Sequence, residues 1–139
     1  MAFSLQQLAQ TCKQWFDIES RRKALYATWE EHAEQGDLKA AYRLIALYPA
    51  SPAHYPLAFK WTLYVANQGE DCLVLLQLAQ MLETGAGTPA DLRRALTWYE
   101  RTLSLHIMQG IQSPLSVSQE NYIQEKIQSL RKQIGWENN

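Results

Sequence analysis

Three histidines are the side chains of this chain best suited to acid–base chemistry and metal binding near neutral pH. His32 stands among Glu30, Glu31 and Glu34. Metal ligands on one helix face are spaced about three or four residues apart, whereas these carboxylates are only one or two residues from His32. The spacing therefore indicates a solvated acidic helix face, and no metal site is predicted.

The remaining chemistry-bearing residues do not form a catalytic motif. His54 lies in a proline-rich segment, and His106 stands at a predicted helix end, where a charged imidazole would suit the helix dipole. The sequence has no phosphate-binding loop, serine-hydrolase elbow, dinucleotide fingerprint or zinc knuckle. The Gly85-Ala86-Gly87 segment joins two predicted helices, so it lacks the strand that precedes a phosphate-cradling turn. Neither a catalytic residue nor a cofactor is predicted.

Cys12 and Cys72, the two cysteines, are far apart in sequence, and neither belongs to a C-x-x-C pair. Cys72 lies in an apolar run, which predicts a buried free thiol. This usage of cysteine fits a reducing, cytoplasmic setting.

Composition argues against two partner classes. The net charge is -1, from 13 basic and 14 acidic residues, so no overall field attracts nucleic acid or an anionic membrane. The basic clusters at 21–23 and 93–94 have no interleaved aromatic residue. The apolar run at 73–76 is far shorter than the roughly 20 residues of a membrane span, and the N-terminal residues do not resemble an export signal.

Helix-forming sequence fills most of the chain and is interrupted where glycine or proline occurs. Ser4 and Gln7 have capping-box spacing, Gly36 follows a predicted helix end, and Thr88 with Pro89 predicts another helix start. The pattern predicts seven helices, at about 4–16, 20–35, 38–48, 56–68, 71–82, 89–106 and 116–134.

In two of these helices, the distribution of apolar residues predicts a position in the fold. The helix at 71–82 is apolar on nearly every side, which predicts a central position. The helix at 116–134 has one apolar stripe and one polar face, as a terminal cap of a helical repeat array requires. That stripe could instead pair with a second copy of the chain, so a monomer and a homodimer both stay open.

The chain is also periodic. Residues 61–69 read W-T-L-Y-V-A-N-Q-G and residues 98–106 read W-Y-E-R-T-L-S-L-H, and an alanine, Ala58 or Ala95, precedes each tryptophan by three places. The recurrence of similar helix-forming segments at this distance along the chain, from residue 61 to residue 98, is typical of a helix-pair solenoid. Small alanines allow close helix approach, while Trp61 and Trp98 fill volume between successive units.

The stretch from Leu78 to Asp91, followed by Ala95-Leu96-Thr97-Trp98-Tyr99, resembles the Sel-one-like repeat, a relative of the tetratricopeptide repeat. The same register places six earlier residues on the repeat pattern, namely Leu44, Tyr48, Ala58, Trp61, Ala66 and Gly69. The resemblance covers about residues 24–106. It departs from the family where Ala79 and Ile45 replace a glycine and where 102–106 replaces the closing Ala-Ala-x-x-Gly.

This resemblance implies an all-α, right-handed superhelix formed by one domain, residues 1–139, with a repeat core at 24–106. It further implies a non-enzymatic adaptor or scaffold in a bacterial-type cytoplasm that binds a protein or peptide. A dedicated chaperone, or an immunity protein that sequesters a secreted effector or toxin, is the alternative binding role. An enzyme of unknown type is a second alternative.

The binding surface follows from helical phase. In a solenoid the first helix of each pair usually lines the concave side, and the positions there that packing does not need are the candidates. They are Lys39, Tyr42, Arg43, Leu76, Gln77 and Gln80. Tyrosine and arginine are the strongest of these, since they combine contact area with directional hydrogen bonds. The loop from Pro49 to Tyr55 could alternatively present His54 and Tyr55.

Overall fold

The computed structural model describes residues 4–49 and 51–135. These residues form six α-helices and one short 3-10 helix, and they include no β-strand. The helices are α1 (Leu5–Glu34), α2 (Leu38–Leu47), α3 (Tyr55–Ala66), α4 (Cys72–Thr84), α5 (Leu92–Gln109) and α6 (Val117–Ile134), with the 3-10 helix Gly110–Gln112 between α5 and α6. The all-α prediction is confirmed. Within the described residues, every helix falls short of the combined length and apolarity that crossing a bilayer would demand.

The chain divides into two compact units, Met1–Leu44 and Ile45–Asn139, and the boundary falls inside α2. The first unit contains α1 and the start of α2, and the second contains α3 to α6. A single superhelix over the whole chain stays a prediction.

Helix α1 corrects the first part of the helix prediction. Residues 5–34 form one continuous helix rather than two helices at 4–16 and 20–35. No glycine or proline occurs in this stretch, so nothing breaks the helix near Ser20. The capping box is confirmed, because Gln7 N donates to Ser4 Oγ at 3.2 Å and Ser4 N donates to Gln7 Oε1 at 3.0 Å. With one helix in place of two, the described residues contain six α-helices instead of seven.

Helix α2 begins at a well-defined cap. Asp37 Oδ1 accepts hydrogen bonds from Lys39 N at 3.0 Å and Ala40 N at 3.3 Å, which satisfies free donors of the first turn. The buried stripe of α2 includes Ala41 and Leu44, as the i, i+3 spacing predicts.

The second unit is built around α4. Helix α3 packs against α4, α4 against α5, and α5 against α6. Eight of the 13 residues of α4 are buried, so its prediction as the central helix is confirmed for this unit. They are Cys72, Val74, Leu75, Leu76, Leu78, Ala79, Met81 and Leu82. Asp71 caps this helix by accepting from the backbone N–H groups of Leu73 and Val74.

The turn between α4 and α5 brings distant backbone together. A Cβ atom on Gly87 would collide with the carbonyl of Tyr55 and would lie 2.9 Å from Pro56 N, at the start of α3. Only glycine permits this approach, and its φ of 79° is also in the left-handed region. Helix α5 then starts after Asp91, whose carboxylate accepts from Arg94 N at 3.1 Å.

The predicted cap at Thr88 is therefore wrong. Asp91 N donates to Leu82 O at 2.8 Å, which holds the intervening residues in the turn. An ionised carboxylate is also a stronger acceptor for a helix N-terminus than a hydroxyl.

Helix α6 covers α5. Its Ile123, Ile127 and Leu130 are buried within the chain, as a terminal cap requires. The stripe is thus covered within its own chain, while the choice between a monomer and a homodimer stays a prediction. The capping box of Ser116 and Gln119 fixes the start of the helix.

Candidate functional site

An open groove runs along one face of α5 in the second unit. The part of the groove near the start of α5 has a volume of about 420 Å³ and is also lined by Leu63 of α3 and by Asn67, the residue that follows α3. It continues toward the C-terminal end of α5 as a wider space of about 530 Å³. The two parts share four residues, Asn67, Thr97, Trp98 and Arg101. Such volumes fall within the range of small-molecule pockets, about 300 to 1,000 Å³, and match a few peptide side chains.

We call this feature the α5 groove and define it by the α5 residues that line it. They are Arg94, Thr97, Trp98, Glu100, Arg101, Ser104, Leu105 and Met108. Apart from Glu100, their spacing of three or four residues places them along one side of the helix. A second stripe, which includes Ala95 and Tyr99, is buried. Helix α5 therefore uses one face for the core and a neighbouring face for the groove.

Trp98 links the core to the groove. Trp98 is 7% exposed, so only a small part of the residue reaches the groove. The Arg101 guanidinium lies over the ring, 4.7 Å from its centroid, at cation–π distance. Arg101 remains exposed to solvent and lines both parts of the groove.

The charges of the groove are uneven. Glu100 also lines it, but Arg131 Nη2 lies 3.3 Å from the Glu100 carboxylate and offsets its charge. Over residues 4–49 and 51–135, neither Arg94 nor Arg101 forms an ion pair with a carboxylate. The α5 groove therefore carries two positive charges without an ion-pair partner in the described part of the chain, at Arg94 in the first turn of α5 and at Arg101 near its middle.

The other end of the α5 groove is apolar. Leu105 is half-buried, while Met108 is 82% exposed although its side chain has no polar atom beyond a thioether. Methionine adapts its shape readily and is common at surfaces that accept varied partners. The groove thus has a cationic end and an apolar end.

A second, smaller depression lies between α5 and α6. Its volume is about 400 Å³, and it adjoins the α5 groove through Glu100 and Ser104. Its polar lining includes Gln124, Gln128 and Arg131.

The predicted binding residues lie in both units. Lys39 and Arg43 are exposed on α2, and Tyr42 is half-buried there. The Arg43 guanidinium lies 6.0 Å from the ring centroid of Trp29 on α1. These three residues belong to the first unit.

The remaining candidates are on α4 in the second unit. Leu76 is buried, Gln77 is half-buried and Gln80 is exposed. None of the six candidates lines the α5 groove. The surface predicted from helical phase, on α2 and α4, is therefore different from the α5 groove.

A hydrogen-bonded chain that sequence reasoning missed connects α5 to α6. His106 Nδ1 lies 2.5 Å from Ser113 Oγ, and His106 Nε2 lies 3.2 Å from Glu120 Oε2. Ser113 Oγ also accepts from the backbone N–H of Leu115 at 3.3 Å. These bonds brace the 3-10 connection on both sides. No sequence motif marks these hydrogen bonds, because His106, Ser113 and Glu120 come together only through the turn.

The other reactive side chains have structural partners or simple surroundings. Cys72 is buried as predicted and its thiol donates to Gln109 Oε1 at 3.3 Å, while burial raises its pKa. His54 Nδ1 lies 2.8 Å from Ser51 Oγ in the loop before α3. In the part of the chain that the structure describes, no three His, Cys, Asp or Glu residues gather as metal ligands would.

A partly buried set of hydrogen bonds through Glu83, which we call the Glu83 chain, joins α4, α5 and α6. Tyr99 Oη donates to Glu83 Oε1 at 2.7 Å, and Lys126 Nζ lies 2.7 Å from Glu83 Oε2. Burial raises the pKa of the Tyr99 phenol, and hydrogen bonds to Tyr122 and Glu83 raise it further. The hydrogen bond to Glu83 raises the pKa of Lys126. This chain supports the helix that carries the α5 groove.

No protein-family model matches the chain, and no curated protein matches it. Membership of the Sel-one-like family therefore stays a prediction that rests on the quoted residues.

Proposed function

We propose that this protein is a non-enzymatic protein-interaction module of the Sel-one-like type, and that the α5 groove holds a peptide segment of its partner. The observation that carries the proposal is the exposure of Met108 and Arg101 beside the Trp98 indole in one open groove. Aromatic, methionine and arginine side chains are enriched in protein interfaces.

The rigidity of the groove supports this role. Helix α5 is fixed from two sides, because it packs against both α4 and α6. The Glu83 chain ties these three helices together. A partner that enters a preformed groove loses less ordering entropy on the protein side.

The α2 surface of Lys39, Tyr42 and Arg43 is the second candidate site for the same function. Exposed Lys39 and Arg43 favour it, and its place in the first unit makes it testable apart from the α5 groove. An adaptor, a chaperone and an immunity protein would all use a surface of this kind.

Site-specific photo-crosslinking in cells of the native host tests the proposal. A benzophenone amino acid replaces Thr97 in the α5 groove, Arg43 on α2, or Ser129 on the exposed side of α6 as a matched control. We expect a light-dependent protein adduct from position 97 that is absent from position 129. The adduct should disappear when Ser104→Trp fills the groove.

Adducts of equal yield at positions 97 and 129, or none at 97, would contradict the α5 groove as the binding site. An adduct at position 43 alone would move the site to α2.

A further inference from the structure

The α5 groove has a polarity that restricts its ligand. Arg94 and Arg101 are seven residues apart on α5, which places them about 10 Å apart along the helix axis. Both are exposed and neither is paired with a carboxylate among the residues that the structure describes. Leu105 and Met108 follow at the C-terminal end of the same groove.

From this charge distribution we propose that the α5 groove binds an acidic peptide segment whose carboxylates face Arg94 and Arg101 and whose apolar side chains lie against Leu105 and Met108. This inference rests on the proposed function and specifies the chemistry of the partner. The Arg101 guanidinium offers parallel N–H donors that suit a bidentate carboxylate. Its position over Trp98 reduces the rotamer freedom that binding would otherwise remove.

The ion pair between Glu100 and Arg131 strengthens the inference. The Glu100 carboxylate is engaged by Arg131, so it does not neutralise the neighbouring Arg101. The whole chain has a net charge of -1, yet this groove carries a local positive excess. Carboxylates that face Arg94 and Arg101 therefore each gain a favourable charge interaction without displacing an existing ion pair.

Single-stranded nucleic acid fits the groove less well. Its binding sites combine a continuous cationic path with aromatic rings on which bases stack. The face of Trp98 is covered by Arg101, and the ring is 7% exposed. Two guanidinium groups that lead to an apolar end suit a peptide better than a phosphate backbone.

The test uses the full-length protein and four fluorescein-labelled probes in a polarisation assay. The first probe is a decapeptide with a glutamate-rich half and a leucine-rich half. Two further decapeptides replace each glutamate with glutamine or with lysine, and the fourth probe is a ten-nucleotide oligothymidylate. Circular dichroism melting confirms that each protein variant is folded.

We expect the glutamate peptide to bind at least about tenfold more tightly than the glutamine peptide at low salt, an advantage that added salt reduces. The double variant Arg94→Gln with Arg101→Gln should abolish this difference. The matched control Arg93→Gln removes an adjacent exposed arginine that does not line the groove, and it should leave the difference unchanged.

The remaining outcomes separate this inference from the proposed function. Equal binding of the glutamate and glutamine peptides, with both weakened by Met108→Glu, would overturn the acidic specificity and leave the groove as a peptide site. Failure of both peptides to bind would overturn both proposals. Tighter binding of the oligothymidylate, with the same dependence on Arg94 and Arg101, would replace the peptide with nucleic acid.

Discussion

Helices α1 and α4 show two different ways in which this chain specifies a helix. Helix α1 has 30 residues, of which only Ala33 is buried, whereas eight of the 13 residues of α4 are buried. Local features specify α1, since it has a capping box and lacks internal glycine and proline. Tertiary packing stabilises α4. Helix formation and burial are thus separate properties. A tryptophan on exposed α1 is therefore expected to contribute less to stability than a tryptophan in the packed second unit.

The largest expected effect comes from matched tryptophan substitutions, Trp98 on α5 of the second unit and Trp15 on α1 of the first unit. Trp98→Ala should lower the free energy of unfolding by about 3 to 5 kcal/mol, because it removes a large buried aromatic side chain. Trp15 is 59% exposed on α1, so Trp15→Ala should change stability far less. Urea denaturation followed by circular dichroism measures both. Equal losses of unfolding free energy in the two variants would show that burial does not distinguish the contributions of Trp98 and Trp15.

A smaller effect is expected from matched glycine substitutions. Gly36 and Gly87 both have positive φ, 95° and 79°, so alanine adds left-handed strain of about 1 to 2 kcal/mol at either position. At Gly87 the new methyl group would also collide with the Tyr55 carbonyl, whereas no atom lies within 4 Å at Gly36. Gly87→Ala should therefore cost about 1 to 3 kcal/mol more than Gly36→Ala.

Thermal and urea denaturation of the two glycine variants provide the measurement. A Gly36→Ala variant that is as unstable as Gly87→Ala would show that the approach of the Tyr55 backbone is not what requires glycine at position 87.

The smallest effect is expected from alkaline pH. In the unfolded chain, Tyr99 loses its phenol proton near the usual tyrosine pKa of about 10. In the folded protein its pKa is raised, so the phenol keeps the proton to higher pH. Stability from Tyr99 is therefore complete below about pH 10 and decreases as the pH rises above it. Lys126, whose pKa is also raised, contributes in the same direction.

Urea midpoints measured from pH 8 to about 11 test this expectation. Tyr99→Phe should reduce the alkaline loss of stability, because the titrating phenol is absent, and it should cost about 1 kcal/mol at neutral pH through its lost hydrogen bond to Glu83. An unchanged alkaline slope in Tyr99→Phe would exclude Tyr99 as its source.

The sequence predicts helices well where packing and local capping agree. The buried stripe of α6, the central position of α4 and the burial of Trp61 and Trp98 all follow from apolar spacing, and the structure confirms them. The prediction of two helices in place of α1 was wrong, because a serine inside a strong helix-forming segment is not sufficient to end it.

The α5 groove could not be predicted in the same way. Asn67 at the end of α3 and Leu75 on α4 come together with Trp98 and Met108 only after three helices have packed, and no local sequence pattern encodes this arrangement. Arg94 was visible in the sequence only as part of the basic cluster at 93–94. That neither Arg94 nor Arg101 has a carboxylate partner among the described residues depends on tertiary position. His106 likewise gained Ser113 and Glu120 through the geometry of a turn.

That turn makes the protein suitable for engineering. Ile111 is 99% exposed at its tip, and a Cβ added at Gly110 would meet no atom within 4 Å. Both sides of the tip are anchored, by His106 with Ser113 and by the cap of α6. Exposed tips between fixed ends tolerate inserted sequence. An epitope tag or a fluorescent domain placed at Ile111 should leave the fold intact, whereas the glycine turn after α4 has no room for one.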